Sequence, residues 1–455
     1  MKINPSIFKA YDIRGIYPSE LNEEVIYKIG RAYAVLIQKE NEGKITIAVG
    51  KDMRLSSPKL KEALIKGLVT QGVNVVEIGL VSTPTFYFAV ANYGYDGGMQ
   101  VSASHNPREW NGLKLVRKKA IPVSEDTGMK KIKAMVEKGE FMEVEEKGEV
   151  SKKEGVLQDQ IKHDFKYADI SKIKLFKVVV DPANAMGALY SEAMFDRLPC
   201  ELIKMNFELD GTFPNHEADP MKEENTKDLR KRVVKERADI GIAIDGDGDR
   251  IFFVDNKGEL VPQQIIRGLL AKIFLREYPG ATICYDIRPG KITVDMIKEA
   301  GGKPVVTRVG HSLIKEKMRE VDALFGGESS GHFFLKLEKG VYEVPVIVIL
   351  KLLQELSESG KSFSELIKPY KKYFHSGEIN LVVEDKLGKI KEIEELYKGE
   401  AKEVNNLDGI MVDMGDFWFN LRPSNTEAKL RLNLEATSNK LMEEKRDEVL
   451  KVIRG

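Results

Sequence analysis

Cysteine is nearly missing from the chain. Cys200 and Cys284 are the only two in 455 residues, too few for a disulfide framework or a thiolate zinc site. A reducing compartment is the natural setting for such usage. Charge of one sign is missing too. The 71 Lys and Arg residues balance 71 Asp and Glu, so the formal net charge is zero. That removes the broad attraction on which nonspecific nucleic-acid and membrane-surface binding depends, and neither partner is expected. Long apolar runs are also absent. The longest, Val344–Leu350, is interrupted by Pro345 and followed by Lys351, well short of the ~20 apolar residues of a membrane span. The opening MKINPSIFKAYDIRG has no apolar core of signal-peptide length, so a cytoplasmic protein is expected. Two nucleotide signatures are lacking. No G-x-G-x-x-G follows a strand, and Gly360-Lys361-Ser362 has Glu355 where a P-loop needs its leading glycine.

What is present is 42% hydrophobic and 31% charged residues, a composition suited to a soluble protein with several cores. Short β-branched runs alternate with helical patterns: Ile45–Val49, Val73–Ile78, Lys177–Val180, Ile240–Ile244, Thr282–Tyr285 and Pro304–Val306. This alternation predicts α/β architecture with largely parallel sheets. A loose threefold repeat runs through it. In each copy a strand meets a polar turn and a helix, and a later strand ends at a polar loop: Ser102–Pro107, Asp245–Arg250 or Gly327–His332. Ligands of open α/β sheets bind at the carboxyl ends of strands, where all three loops fall. The remainder reads as a smaller α+β unit, with strands at Ile379–Val383, Ile410–Asp413, Phe417–Leu421 and Lys429–Leu434 and a helix near Lys386–Lys398. The expected domains are 1–150, 151–255, 256–368 and 369–455.

Four loops carry groups capable of chemistry. Asp245-Gly-Asp247-Gly-Asp249-Arg250 alternates three carboxylates with glycines, so it can curl around one small cation. Oxygen-only donors favour Mg²⁺ or Ca²⁺. An EF-hand is excluded, because Arg250 and Asn256 stand where its Gly and Glu belong. Ser102-Ala-Ser104-His105-Asn106-Pro107 offers a hydroxyl, an imidazole and an amide, though such residues also make ordinary turns. Gly327-Glu328-Ser329-Ser330-Gly331-His332 contains G-x-S-x-G, yet Phe333–Leu337 reads as a strand where a hydrolase elbow needs a helix. Its Glu328, Ser330 and His332 suit hydroxyl recognition. Arg422-Pro423-Ser424-Asn425-Thr426-Glu427 suits either a phosphate dianion or a plain hairpin loop.

Taken together and in this order, the loops resemble those of the α-D-phosphohexomutase superfamily, in its phosphomannomutase/phosphoglucomutase branch. Phe8-Lys-Ala-Tyr11-Asp-Ile-Arg14-Gly resembles the N-terminal signature. Phe213-Pro-Asn-His216 through Asp219-Pro220 is similar to the family's segment ahead of the metal loop. Phe417 to Glu427, with Leu430 to Glu435, is similar at the C-terminal end. Lys9, Ser102 and Ala428 depart from the common Arg, Thr and Pro. Ser329 occupies a position that varies between branches with different sugars.

The resemblance implies three related α/β domains with mixed sheets and a smaller C-terminal α+β domain around a central cleft. It implies a phosphohexomutase that interconverts hexose 1-phosphate and hexose 6-phosphate, of mannose or glucose, through a phosphoserine enzyme and a 1,6-bisphosphate. Ser104 would be the phosphorylated serine, with Asp245, Asp247, Asp249 and a phosphoserine oxygen holding Mg²⁺. Arg250 would assist at the phosphoryl group. Lys114, Arg14 and His311 would be the candidates for proton transfer, with His105, His332 and Tyr11 at further cleft positions. Glu328 and Ser330 would bind the sugar hydroxyls O3 and O4. Arg422, Ser424, Asn425 and Thr426 would grip the distal phosphate. A hexose 1,6-bisphosphate would be the activator, and the protein would be a monomer or small homo-oligomer. Phosphoglucosamine mutase is the alternative within this chemistry, and a phosphosugar phosphatase the alternative outside it.

Overall fold

Val178, Val179 and Val180 follow one another in the strand Lys177–Asp181, and all three are fully buried. Such a run needs a sheet covered on both faces, and the chain builds several. The computed structural model describes residues 3–424 and 429–454. It divides into two compact units: Met1–Val261 with Ser330–Ser364, and Pro262–Ser329 with Glu365–Gly455.

The first unit holds two mixed sheets. In the larger, the strand order is Asp12–Ile16, Trp110–Arg117, Gly97–Val101, Thr46–Lys51, Asn74–Leu80 and Val150–Lys152, with Ile121–Pro122 beside Trp110–Arg117. Thr46–Lys51 runs parallel to both of its neighbours, while Trp110–Arg117 is antiparallel to the strands flanking it. The helices Ser57–Thr70 and Thr83–Asn92 make the crossovers between the parallel strands. Ser82 caps the second of these by accepting from Thr85 N–H at 3.3 Å. The helix Glu23–Glu40 starts on an Asn22 cap and buries Val25, Ile26, Ile29 and Leu36 in the core beneath the sheet. Register sets Asp12 opposite Lys114 and Arg14 opposite Gly112 across one ladder.

The second sheet of this unit orders Ile251–Asp255, Ile240–Ile244, Lys177–Asp181 and Glu201–Lys204. Ile244 pairs with Ile251, so residues 245–250 form the turn at one end of an antiparallel pair. Phe333–Leu337 is a strand, paired antiparallel with Gly340–Glu343. The apolar run near Val344 becomes the helix Pro345–Ser359, whose Val346–Leu350 are all buried.

The second unit has the parallel strands Lys303–Thr307, Thr282–Asp286 and Phe325–Gly327, with the helices Gln263–Glu277, Lys291–Glu299 and His311–Glu320. It also has a five-stranded antiparallel sheet ordered Phe374–Leu381, Leu430–Ala436, Phe417–Pro423, Ile410–Asp413 and Glu403–Asn405. The helices Lys386–Tyr397 and Asn439–Arg454 share its core. The first of these strands begins at Phe374, earlier than Ile379. Pairing with Leu430–Ala436 carries the poorer strand formers His375 to Glu378 into the ladder through an irregularity. The chain is thus α/β with mixed sheets and a smaller C-terminal α+β domain. Among the described residues no helix is long and apolar enough to cross a membrane.

Candidate active site

Ser104 ends a short loop after the strand Gly97–Val101, and its backbone is left-handed, with φ +52°. Ser102 Oγ stabilises that turn by accepting from Ser104 N–H at 3.0 Å. The turn leaves the Ser104 hydroxyl almost wholly buried and donating to Asp245 Oδ2 at 2.9 Å. His105 Nδ1 lies 3.2 Å from the same oxygen. Arg14 supports the loop from the adjoining strand, donating to Asn106 Oδ1 at 2.6 Å and pairing with Asp12 at 2.8 Å. Tyr11 immediately precedes that strand and is half-buried.

The acidic loop is built by its own backbone. Asp245 Oδ1 accepts from the N–H groups of Gly248, Asp249 and Arg250, each at 3.1 Å. Gly248 takes φ +79°, which glycine adopts without steric cost. Gly246 is required for a different reason: a Cβ there would sit 2.3 Å from the Ser104 carbonyl oxygen. The absence of a side chain lets the two loops touch.

Asp245, Asp247 and Asp249 are all buried, with carboxylate oxygens within 4.8 Å of one another. Lys114 Nζ reaches Asp249 Oδ2 at 2.8 Å and Asp247 Oδ2 at 3.2 Å. Thr83 Oγ1 donates to Asp247 Oδ2 at 2.6 Å. His332 Nε2 lies 3.2 Å from Asp249 Oδ1, and Ser330 Oγ lies 2.9 Å from His332 Nδ1. Arg250 Nε is 3.9 Å from Asp245 Oδ2. Glu343 completes the group, within 4.8 Å of Asp249 and His332.

Charge crowding shows in the proton affinities. Burial, with Asp249 and Asp247 adding repulsion, pushes Asp245 well above the usual carboxylate range. Against burial, Lys114 and His332 hold Asp249 well below it. Against burial again, Asp247 and Asp249 raise Lys114 well above an ordinary lysine. Desolvation, with Arg250 and Arg14 close by, keeps His105 well below an ordinary histidine. The cluster fits a hard divalent cation. Its carboxylate donors are oxygens, their mutual repulsion calls for positive charge, and Asp247 Oδ1 is buried with no hydrogen-bond partner among the described residues.

The second unit assembles a cationic site. Asp286 accepts from Ser329 N–H at 2.7 Å and its hydroxyl at 3.0 Å, from Arg267 at 3.1 Å, and from Arg288 at 2.5 Å and 3.1 Å. Although burial opposes it, these guanidinium groups hold Asp286 far below the usual range. Glu328 Oε1 accepts from Gly310 N–H at 2.7 Å, just before the helix that opens with the buried His311. Arg422 is buried, 4.0 Å from Asp408 Oδ2, and its Nε has no hydrogen-bond partner among the described residues. Burial and the charge of Arg288 lower its proton affinity. A buried guanidinium suits the binding of an anion. Ser424 is half-buried, and its N–H donates to Lys429 O at 2.9 Å; Asn425 and Thr426 lie outside the described residues.

Sequence reading had not assigned roles to Thr83, Arg288, Glu343 or Arg54. Arg288 and Arg54 each follow a strand's carboxyl end by a few residues, a usable signal. Thr83 and Glu343 carry no local motif. The strand Phe333–Leu337 after Gly327–Gly331 excludes a nucleophile elbow.

Comparison with known proteins agrees along the whole length. Family models for phosphoglucomutase/phosphomannomutase match in four consecutive pieces: alpha/beta/alpha domain I over residues 5–143, domain II over 157–258, domain III over 263–373 and the C-terminal domain over 378–452. A phosphomannomutase of Vibrio cholerae is 40% identical over 458 residues, covering 98% of each chain. One from Escherichia coli K12 is 40% identical over 454 residues, covering 97% of each. The solved structure of a phosphoglucomutase/phosphomannomutase family protein from Burkholderia thailandensis superposes with a TM-score of 0.89 at 31% identity, covering 99% of this chain and 98% of that one.

Proposed function

The chain belongs to the phosphoglucomutase/phosphomannomutase family, and on that premise we propose that Ser104 carries the phosphoryl group this mutase moves between O1 and O6 of a hexose. The observation that supports this most directly is the 2.9 Å contact of the Ser104 hydroxyl with Asp245 inside a buried acidic cluster. Phosphorylated Ser104 gives its phosphoryl group to the free hydroxyl of a hexose monophosphate. The hydroxyl proton leaves to a base, and a hexose 1,6-bisphosphate results. After the sugar reorients, the serine oxygen attacks the other phosphate. The opposite monophosphate departs and the phosphoserine is restored. A bisphosphate supplied from outside would charge Ser104 initially.

Asp245, Asp247 and Asp249, with a phosphoserine oxygen, would hold Mg²⁺. When bound, the ion supplies positive charge against the transferring oxygens. Phosphoryl transfer asks mainly for such stabilisation and for alignment. Lys114 and Arg250 stand at the cluster to add further charge. Arg14 and His105 border the serine loop, and His332 links Ser330 to Asp249. Glu328 and Ser330 present groups for the sugar hydroxyls, with Tyr11 and His311 at further positions. Arg422, Ser424, Asn425 and Thr426 take the phosphate that is not reacting. Mannose phosphates are the first candidates, since two relatives bear the name phosphomannomutase, with glucose phosphates beside them. The scarcity of cysteine supports a cytoplasmic setting.

Ser104→Ala tests this reading. Wild type is expected to exchange mannose or glucose 1-phosphate with the 6-phosphate in the presence of Mg²⁺ and the bisphosphate. The variant should fold with an unchanged melting temperature and show no turnover. Retained turnover would remove Ser104 from the reaction. Release of inorganic phosphate by wild type without sugar-phosphate exchange would make the protein a phosphatase.

A further inference from the structure

Arg54 lies just beyond the strand Thr46–Lys51, and the residue is only 1% exposed. A guanidinium has five N–H donors in one plane. Four of them go to main-chain carbonyls of a single seven-residue stretch. Nη1 donates to Pro107 O at 2.7 Å and Trp110 O at 3.0 Å. Nη2 donates to Ser104 O at 2.7 Å and Asn106 O at 2.6 Å. Its Nε side faces Asp52 Oδ2 at 3.3 Å. Asp52 is held in turn by Ser57 Oγ at 2.5 Å and by Arg54 N–H at 3.0 Å. The Phe213 ring covers the guanidinium at 5.0 Å. Phe213 opens the Phe213-Pro-Asn-His216 stretch and itself has φ +51°.

The residues so gathered include Ser104. A peptide plane is rigid, so fixing the Ser104 carbonyl also fixes the N–H of His105 and limits where the Ser104 Cα–Cβ bond can point. The left-handed φ of Ser104 is disfavoured for a residue with a Cβ and needs outside support.

We infer that Arg54 is a positioning residue for the nucleophile: by binding four carbonyls of residues 104–110 under the Phe213 ring, it holds Ser104 with its hydroxyl at the acidic cluster. The inference deepens the mutase reading and rests on Ser104 as phosphoryl carrier. A lysine here has only three donors and no planar fork, so Arg54→Lys cannot preserve the arrangement.

The test uses the full chain with Arg54→Lys, Arg54→Ala and Phe213→Leu. Each is checked by thermal melting, steady-state kinetics and amide hydrogen exchange. The Arg54 variants should lose about 100-fold in kcat, the cost expected from an error of ~1 Å in placing a reacting group. KM for the sugar phosphate should stay within about threefold. Exchange should quicken at residues 103–110 alone. Millimolar guanidinium should restore part of the lost kcat in Arg54→Ala and do nothing for wild type. Phe213→Leu should shift kcat and loop exchange in the same direction by less; should Arg54→Ala fail to fold, this variant and Arg54→Lys decide. A kcat near wild type with unchanged exchange at 103–110 overturns the inference. So does a loss of kcat accompanied by faster exchange throughout the first unit. If wild type itself exchanges no sugar phosphates, the mutase reading fails, whereas loop exchange in the variants still decides what Arg54 orders.

Discussion

Ser104 Oγ meets Asp245 Oδ2 at 2.9 Å although 141 residues separate them in the chain. Each residue follows a strand of a different sheet, so the contact joins two α/β layers within one compact unit. The proposed reaction needs a nucleophile beside concentrated negative charge that a cation can neutralise, and this contact supplies that neighbourhood.

Metal affinity should depend on a residue behind the carboxylates. Thr83 donates to Asp247 at 2.6 Å. Losing such an outer contact weakens a metal site about 10–100-fold, so Thr83→Val should bind Mn²⁺ that much more weakly, and Asp247→Asn more weakly still. Electron paramagnetic resonance titration reads both. An unchanged affinity in Asp247→Asn would discard the triad as a cation site.

Gly246→Ala should be costly. The new Cβ would meet the Ser104 carbonyl at 2.3 Å, and backbone on both sides must move. Overpacking of this kind costs about 1–3 kcal/mol, readable as a lower urea midpoint. Because the moving partner is Ser104 itself, kcat should fall as well. Wild-type values for both would show that the loops have room to spare.

Stability should carry a signature of His216. Its Nε2 lies 3.0 Å from the buried Asp181, and although burial opposes protonation, the hydrogen bond and charge of Asp181 raise its proton affinity. A raised folded-state value means that protonation favours folding. The contribution is therefore complete below the unfolded value of ~6.5 and fades as pH climbs through the higher folded value. Urea unfolding from pH 5 to 9 should show wild type converging on His216→Asn as pH rises. A stability difference that stays constant across that range would exclude the protonated pair.

Arg422→Ala should act on binding. The buried Nε, without a partner among the described residues, is the edge that a phosphate would take. Hydrogen bonds to charged groups contribute about 1.5–3 kcal/mol, so KM for the sugar phosphate should rise about 10- to 100-fold. An unaltered KM would assign the distal phosphate to other residues.

Much of this is legible in the sequence. The apolar, β-branched runs at Ile240–Ile244 and Thr282–Tyr285 are strands, and they show in the sequence because such side chains fit a pleated, buried surface. The alternation of Asp and Gly at 245–249 announced a loop able to surround a cation, since carboxylate spacing along an extended turn is a local property. Contacts to distant partners are not legible: the resemblance names Lys114 but not its pairing with Asp249. Lys114 becomes a counter-ion of Asp249 only when two sheets meet, Thr83 supports Asp247 from 164 residues away, and Arg54 spends four donors on carbonyls at least 50 residues downstream. Main-chain carbonyls are the same in every residue and leave no trace in a sequence. Local chemistry is therefore written in the order of residues, while hydrogen bonds to a remote backbone arise only when packing removes water and leaves each buried donor to find an acceptor.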